Sequence, residues 1–167
     1  MLKREVSYTF QLDQTLDRLS HGGLLLGATG RDGQSNAMII GWGTIGVIWG
    51  VPVWVVLVRP SRYTYTLIEQ SGVFTVNVPT PEMKELVTIC GTRSGRDMDK
   101  LANTPTSLGQ KLDCVTLDES SLVYECKVVH HNDILPETLM PDLKSRAYPQ
   151  GDYHRLYYGQ IMGTFAE

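Results

Sequence analysis

Along this chain, apolar and polar residues alternate in short blocks punctuated by glycine and proline, and most blocks are strand-sized. Leu24 to Thr29 is a short apolar run ending at Gly30-Arg31-Asp32-Gly33, a hairpin-type turn. Asn36 to Trp42 is its expected antiparallel partner. Val51 to Arg59 is apolar at both parities, which predicts a central strand covered on each face. Pro52 sits at its start, where a missing N–H is tolerated, and Pro60 ends it. Val73 to Val78 (VFTVNV) alternates with a period of two. Lys111 to Leu117 and Ser121 to His131 flank an acidic turn, with alternation at Leu122, Tyr124, Cys126 and Val128. Asp152 to Phe165 reads as the last strand, with a bulge expected at Gly159.

Helical spacing is rarer. Leu12, Leu16 and Leu19 fall on one face of a helix that Asp13 would cap and His21-Gly22-Gly23 would end. After Pro60, a helix capped by Ser61 or Thr64 is expected to run to about Gln70 and stop at Gly72. Pro81 to Ile89 reads as a third, with Glu82 and Glu85 near its positive end. Cys90 to Lys100 reads as a polar loop, followed by a turn of helix and irregular chain through Gln110. Leu135 to Gln150 holds three prolines, so a loop or at most a short helix is expected there. The pattern therefore predicts one mainly β domain over residues 1–167, with six to eight strands in a closed or half-closed antiparallel barrel. The glycines after Gly41 do not form GxGxxG between a strand and a long helix, which argues against a dinucleotide-binding α/β fold.

Composition narrows the functional classes. The 167 residues carry a net charge of −3, which disfavours a broad nucleic-acid or anionic-membrane surface. No apolar run approaches the roughly 20 residues of a membrane helix. The first ten residues lack the apolar core of a secretory signal, so a cytoplasmic location with reduced thiols is expected. Cys90, Cys114 and Cys126 contain no CxxC pair. Cys90, beside Gly91, is open between a reactive and an inert thiol. The histidines form no metal-ligand spacing, and neither GxSxG nor HExxH occurs.

Candidate chemistry gathers in three places. Asn36, Met38 and Trp42 share one strand face, offering an apolar platform and an amide to a flat heteroaromatic ring, or else an ordinary barrel wall. Arg59, Ser61, Arg62 and Thr64 bring charge, hydroxyls and free N–H groups to a helix start, an anion trap or a solvated helix end. Tyr63 and Tyr65 could wall that pocket. In CGTRSGRDMDK, Arg93, Arg96 and Lys100 either face a ligand or pair with Asp97 and Asp99. His154 is the best candidate for titration near neutral pH.

The blocks NAMIIGWGTIGVIWGVPVWVVLVRPSRYT, FTVNVP, CGTRSGRDMDK and GDYHRLYYGQI, in this order from about residue 20 to the C-terminus, resemble the flavin reductase-like, FMN-binding split-barrel proteins of the flavoredoxin type. The resemblance implies a six-stranded antiparallel split barrel with flanking helices, an obligate homodimer and non-covalent FMN at its interface. It implies that Asn36, Ala37, Met38, Ile39, Trp42 and Gly43 line the flavin ring. Arg59, Ser61, Arg62, Tyr63 and Thr64 would hold the phosphate, while Ser94, Gly95, Arg96 and Lys100 close over the flavin. The implied activity passes electrons from NADH or NADPH through FMN to free flavin or an acceptor protein. An FMN electron carrier without nicotinamide activity is the alternative, and a flavin-free dimeric binding protein is a third. One departure stands out: the family motif reads Asn-Ala-Met-Thr, and the fourth position here is Ile39. A hydroxyl near the flavin's polar edge, one of the protein's levers on flavin electronics, would then be missing.

Overall fold

The computed structural model describes residues 3–167. In chain order the elements are β1 (Arg4–Glu5), α1 (Leu12–Ser20), β2 (Leu24–Thr29), β3 (Ser35–Ile40), β4 (Gly43–Ile48), β5 (Val51–Val58), α2 (Tyr63–Ser71), β6 (Val73–Val78), α3 (Lys84–Thr92), β7 (Thr106–Leu108), β8 (Val115–Leu117), β9 (Leu122–Asp133), α4 (Pro141–Ala147) and β10 (Arg155–Ala166). Every ladder is antiparallel. The main sheet runs β3-β2-β6-β9-β10-β5-β4, with β1 also on β10, and β7 pairs β8 separately. This is the expected mainly β, antiparallel split-barrel class. The count of six is corrected to 8 strands in the main sheet.

The extra strands come from places where local signals are weak. Gly43 to Ile48, glycine-rich and assigned to no strand by its pattern, pairs with β5 from Gly43↔Val56 to Ile48↔Val51. Trp49 and Gly50 between them have φ of 54° and 74°, the paired left-handed residues of a type I′ hairpin. Strand β5 supplies the ladder, and that overrides the poor strand preference of Gly43 and Gly46. Conversely, Lys111 and Leu112 are not strand. The buried carboxylate of Glu125 accepts the backbone N–H groups of Gln110, Lys111 and Leu112 at 2.7, 2.8 and 2.9 Å, and only Val115–Leu117 joins β7. The last strand starts at Arg155 rather than Asp152, whose φ of 54° is incompatible with extended chain.

The bulge expected at Gly159 lies beside it. The β9–β10 register slips between Tyr158 and Gly159, leaving Val129 of β9 unpaired, and again around Met162. Gly159 has a different task. A Cβ there would stand 2.6 Å from Phe74 Cε1 and 2.8 Å from Cys126 Cβ, so its absence lets the Phe74 ring pack on the strand backbone.

The two faces of β2 serve two cores. Leu24, Leu26 and Ala28 enter the barrel core with Trp54, Val56, Phe74, Val76, Tyr124 and Tyr157. Leu25 faces the other way, into a smaller core with Ala37, Leu86, Cys90, Val115 and Leu117. Fully burying each large apolar side chain is worth about 1.5–3 kcal/mol. The polar positions of VFTVNV are buried too, because they dock β8: Thr75 Oγ1 donates to Val115 O at 2.6 Å, and Asn77 Oδ1 accepts from Leu117 N at 3.0 Å.

The helices differ from expectation at their ends. In α1, Thr15 rather than Leu16 is buried with Leu19, and its hydroxyl lies 3.2 Å from Tyr124 OH. Gln11 occupies the N-cap, and Asp13 sits in the first turn. Helix α2 starts from Arg62, with no side chain capping it, and ends on Gly72 at φ 71°. Helix α3 runs through Cys90, Gly91 and Thr92, which the polar pattern assigns to a loop. No helix among the described residues is long and apolar enough to cross a membrane.

Candidate functional site

Strand β3 ends the main sheet and is covered by α2 and α3. Between that strand, the start of α2 and the segment after α3 lies a cavity of about 440 Å³, within the roughly 300–1,000 Å³ range of cofactor pockets. Its lining includes Asn36, Met38 and Ile39 from β3, Ser61, Arg62, Tyr63 and Thr64 around the α2 start, and Ser94, Gly95 and Lys100 beyond α3. Ten of the expected residues therefore meet around one space. Cys90, Gly91, Thr92, Arg93 and Asp97 also line it. Of these, Arg93 had a sequence signal as a cation facing a ligand, Asp97 as its possible partner and Cys90 as a thiol of open reactivity; Gly91 and Thr92 came into view once α3 was seen to continue to Thr92.

Local chemistry fixes this wall. Buried Asn36 donates from Nδ2 to Thr64 Oγ1 at 2.8 Å, joining β3 to the first turn of α2. Gly95 passes so close to that pair that a Cβ would stand 2.6 Å from Tyr63 Cδ1 and collide with Asn36 Oδ1. Arg96 sits outside the cavity. It donates to Ser61 O at 2.8 Å and lies 5.6 Å over the Tyr63 ring, pinning the loop to the helix start.

The site is electropositive. Arg62, Arg93 and Lys100 face a single acid, Asp97, across the lining. Lys100 is only 6% exposed, donates to Arg93 O at 3.3 Å, and has no carboxylate within ion-pair distance among the described residues. Burial lowers its ammonium below the usual lysine range; Cys90 opposes this shift and Arg62 adds to it. A buried cation without a counter-ion is costly unless an anion joins it. The uncapped α2 start adds free N–H groups and the positive end of the helix dipole. Beside Lys100, burial pushes the Cys90 thiol up, against the pull of the ammonium, so the thiol stays protonated at neutral pH.

A second, smaller cavity of about 190 Å³ shares Met38, Ile39 and Arg62 with the first. Trp42, Leu57, Arg59 and His154 complete much of its wall. Ile39 thus borders both cavities, and it fits because Gly23, which has no Cβ, leaves room for its Cγ1. Trp42 and Arg59 belong here rather than to the larger cavity. Ala37 packs into the smaller core, and Gly43 starts β4; neither lines either cavity. Burial, and then the Arg59 charge, push His154 down to about 4, so its imidazole is neutral at pH 7. Tyr148, which no sequence signal marked, places its hydroxyl 2.6 Å from His154 Nδ1.

A third hollow, about 340 Å³ beneath β7 and β8, is lined by Glu125 and Lys3. Three backbone N–H groups occupy the Glu125 carboxylate, and Lys3 donates to Asp118 O at 2.5 Å. Unlike Lys100, Lys3 also has a carboxylate partner, Glu167 at 4.0 Å.

Residues 16–165 match the model of the flavin reductase like domain, and the chain belongs to that family. Over 86 residues it is 34% identical to an uncharacterised protein of Archaeoglobus fulgidus, a match spanning 50% of this chain and 49% of that one. Among solved structures, flavoredoxin from Methanosarcina acetivorans superposes with a TM-score of 0.69 at 28% identity, covering 87% of this chain and 68% of that chain. Flavoredoxin of Desulfovibrio vulgaris (Miyazaki F) gives 0.68 at 24%, covering 87% and 69%. An FMN-binding protein from Thermus thermophilus with bound p-hydroxybenzaldehyde gives 0.69 at 23%, covering 87% and 71%. These last two share the fold.

Proposed function

We propose that this chain binds FMN non-covalently in the 440 Å³ cavity and acts as an oxidoreductase, passing electrons from a reduced nicotinamide to free flavin or another acceptor. The observation that carries the reading is Lys100, a buried cation with no counter-ion among the described residues, in a cavity beside an uncapped helix start. Membership of the flavin reductase like family and the flavoredoxin and FMN-binding neighbours support it.

The residues fit the group. The α2 N–H groups and Arg62 suit the phosphate. Asn36, Met38 and Ile39 offer the ring an amide and an apolar edge. Lys100 and Arg93 balance the negative charge of a phosphate or reduced ring. When bound, FMN supplies hydride acceptance and electron release. The chain orients the reactants, excludes water and keeps the His154 imidazole uncharged beside the second cavity.

A homodimer belongs to this reading. Strand β4 is the free end of the sheet path, and residues 41–58 contain no charged side chain. Val47 and Trp49 there are 63% and 62% exposed, an edge suited to a second copy. The three buried free thiols fit a reducing compartment such as the cytoplasm.

The carrier reading is favoured by one observation. The second cavity, at about 190 Å³, suits a single ring better than a whole dinucleotide. Anaerobic stopped-flow mixing of the FMN-loaded protein with NADH and NADPH separates the two. The oxidoreductase reading predicts bleaching of the flavin absorbance with at least one donor. No bleaching over minutes, followed by reduction with dithionite, leaves the carrier.

A further inference from the structure

Arg59 follows β5 and would be counted among the phosphate ligands from its neighbours Ser61 and Arg62. Its guanidinium is already committed elsewhere. Nη1 donates to Asp152 O at 2.9 Å and Gly151 O at 3.4 Å, and Nη2 donates to Ala147 O at 3.1 Å. The same group lies 4.9 Å over the Tyr148 ring.

Ala147 is the last residue of α4, so one of these bonds satisfies a carbonyl at a helix end. Gly151 and Asp152 are both left-handed, with φ of 77° and 54°. That conformation is disfavoured for Asp152 and persists only where its surroundings hold it. Here the Arg59 fork holds its carbonyl, and Ser61 Oγ holds its carboxylate at 2.5 Å. Beyond this turn, Tyr148 bonds His154, and His154 stands 5.2 Å from Trp42. The run from Ala147 to His154 is a strap that reaches the smaller cavity at His154 and is tied down largely through Arg59.

We propose that Arg59 is a positioning residue: its guanidinium fork fixes the 147–154 strap, and with it the Tyr148-bonded His154 that lines the smaller cavity, while leaving the flavin phosphate to Arg62 and the α2 start. The phosphate half of this statement rests on the FMN reading; the strap half does not. Lysine at 59 would keep the charge but lose the planar fork that spans three carbonyls.

The test measures Kd for FMN and for riboflavin in the wild type and in Arg59→Ala, Arg59→Lys and Arg62→Ala. Each protein is also digested with trypsin, and His154 is titrated by NMR. In Arg59→Ala the FMN-to-riboflavin affinity ratio is expected to stay within about twofold of wild type. Cleavage after Lys144 and Arg146 is expected to speed up about tenfold, and the His154 midpoint to rise. Arg59→Lys should cleave nearly as fast as Arg59→Ala. Arg62→Ala should lower the FMN-to-riboflavin ratio about tenfold with cleavage unchanged. A tenfold loss of that ratio in Arg59→Ala, or wild-type cleavage and His154 titration in both Arg59 variants, overturns the proposal. If the wild type binds neither flavin, the FMN reading fails, while cleavage and the His154 titration still decide whether Arg59 holds the strap. Should Arg59→Ala not fold, Arg59→Lys and Arg59→Gln carry the same measurements.

Discussion

Lys100→Met is expected to make the ligand-free protein more stable and its flavin site weaker. Removing a buried ammonium that lacks a counter-ion relieves a desolvation cost, and methionine fills a similar volume with an unbranched chain. Only the 3.3 Å bond to Arg93 O is lost. A gain of about 1 kcal/mol would raise Tm by roughly 2–4 °C in a protein of this size. FMN affinity should fall at least about tenfold, or roughly 1.4 kcal/mol. Thermal unfolding without flavin and a titration that follows FMN fluorescence check both signs. A lower Tm with unchanged affinity would make Lys100 a tether of the 93–100 loop instead.

The same residue gives a pH dependence. Burial lowers its folded-state pKa, with Cys90 opposing the shift and Arg62 adding to it. The unfolded chain therefore binds more protons between that lowered value and the ordinary lysine range. Stability without flavin should rise as pH climbs through the window. FMN binding should weaken over it, because the anion prefers the ammonium form. Lys100→Met should abolish both trends.

Gly95→Ala is expected to weaken FMN binding by about 10–100-fold with little change in Tm. The added methyl would meet the Tyr63 ring at 2.6 Å and collide with Asn36. Asn36 cannot retreat without losing its bond to Thr64. The loop must therefore withdraw from the cavity. Its half-exposed backbone absorbs that shift, and alanine's smaller unfolded-state entropy offsets part of the cost. Calorimetric titration with FMN, paired with thermal unfolding, reads both quantities. Wild-type affinity would mean that the close approach of Gly95 to β3 plays no part in binding.

Period-two patterning in VFTVNV and the apolar run at β5 made the centre of the sheet legible, because both arise from burial that any neighbour would impose. Strand β4 was not legible, since Gly43 and Gly46 carry no strand preference and the signal lies in the partner β5. Nor was the loop at 110–112, whose N–H groups go to Glu125, distant in sequence. At the site, Asn36, Met38, Arg62 and Thr64 could be read from residue type and local spacing, and the cavity brings them together. Arg59 could not be separated from its neighbours, because its carbonyl partners lie some ninety residues away. The substitution at Ile39 gained meaning from packing: Gly23 makes room for its side chain between two cavities.

The most direct test of the flavin assignment titrates flavin-stripped protein with FMN and riboflavin while following flavin fluorescence. The account predicts saturable binding of one FMN per chain, with FMN preferred over riboflavin by at least about tenfold, or roughly 1.4 kcal/mol, through the phosphate. Flavin fluorescence that never changes with either compound, in protein that melts cooperatively, would contradict it.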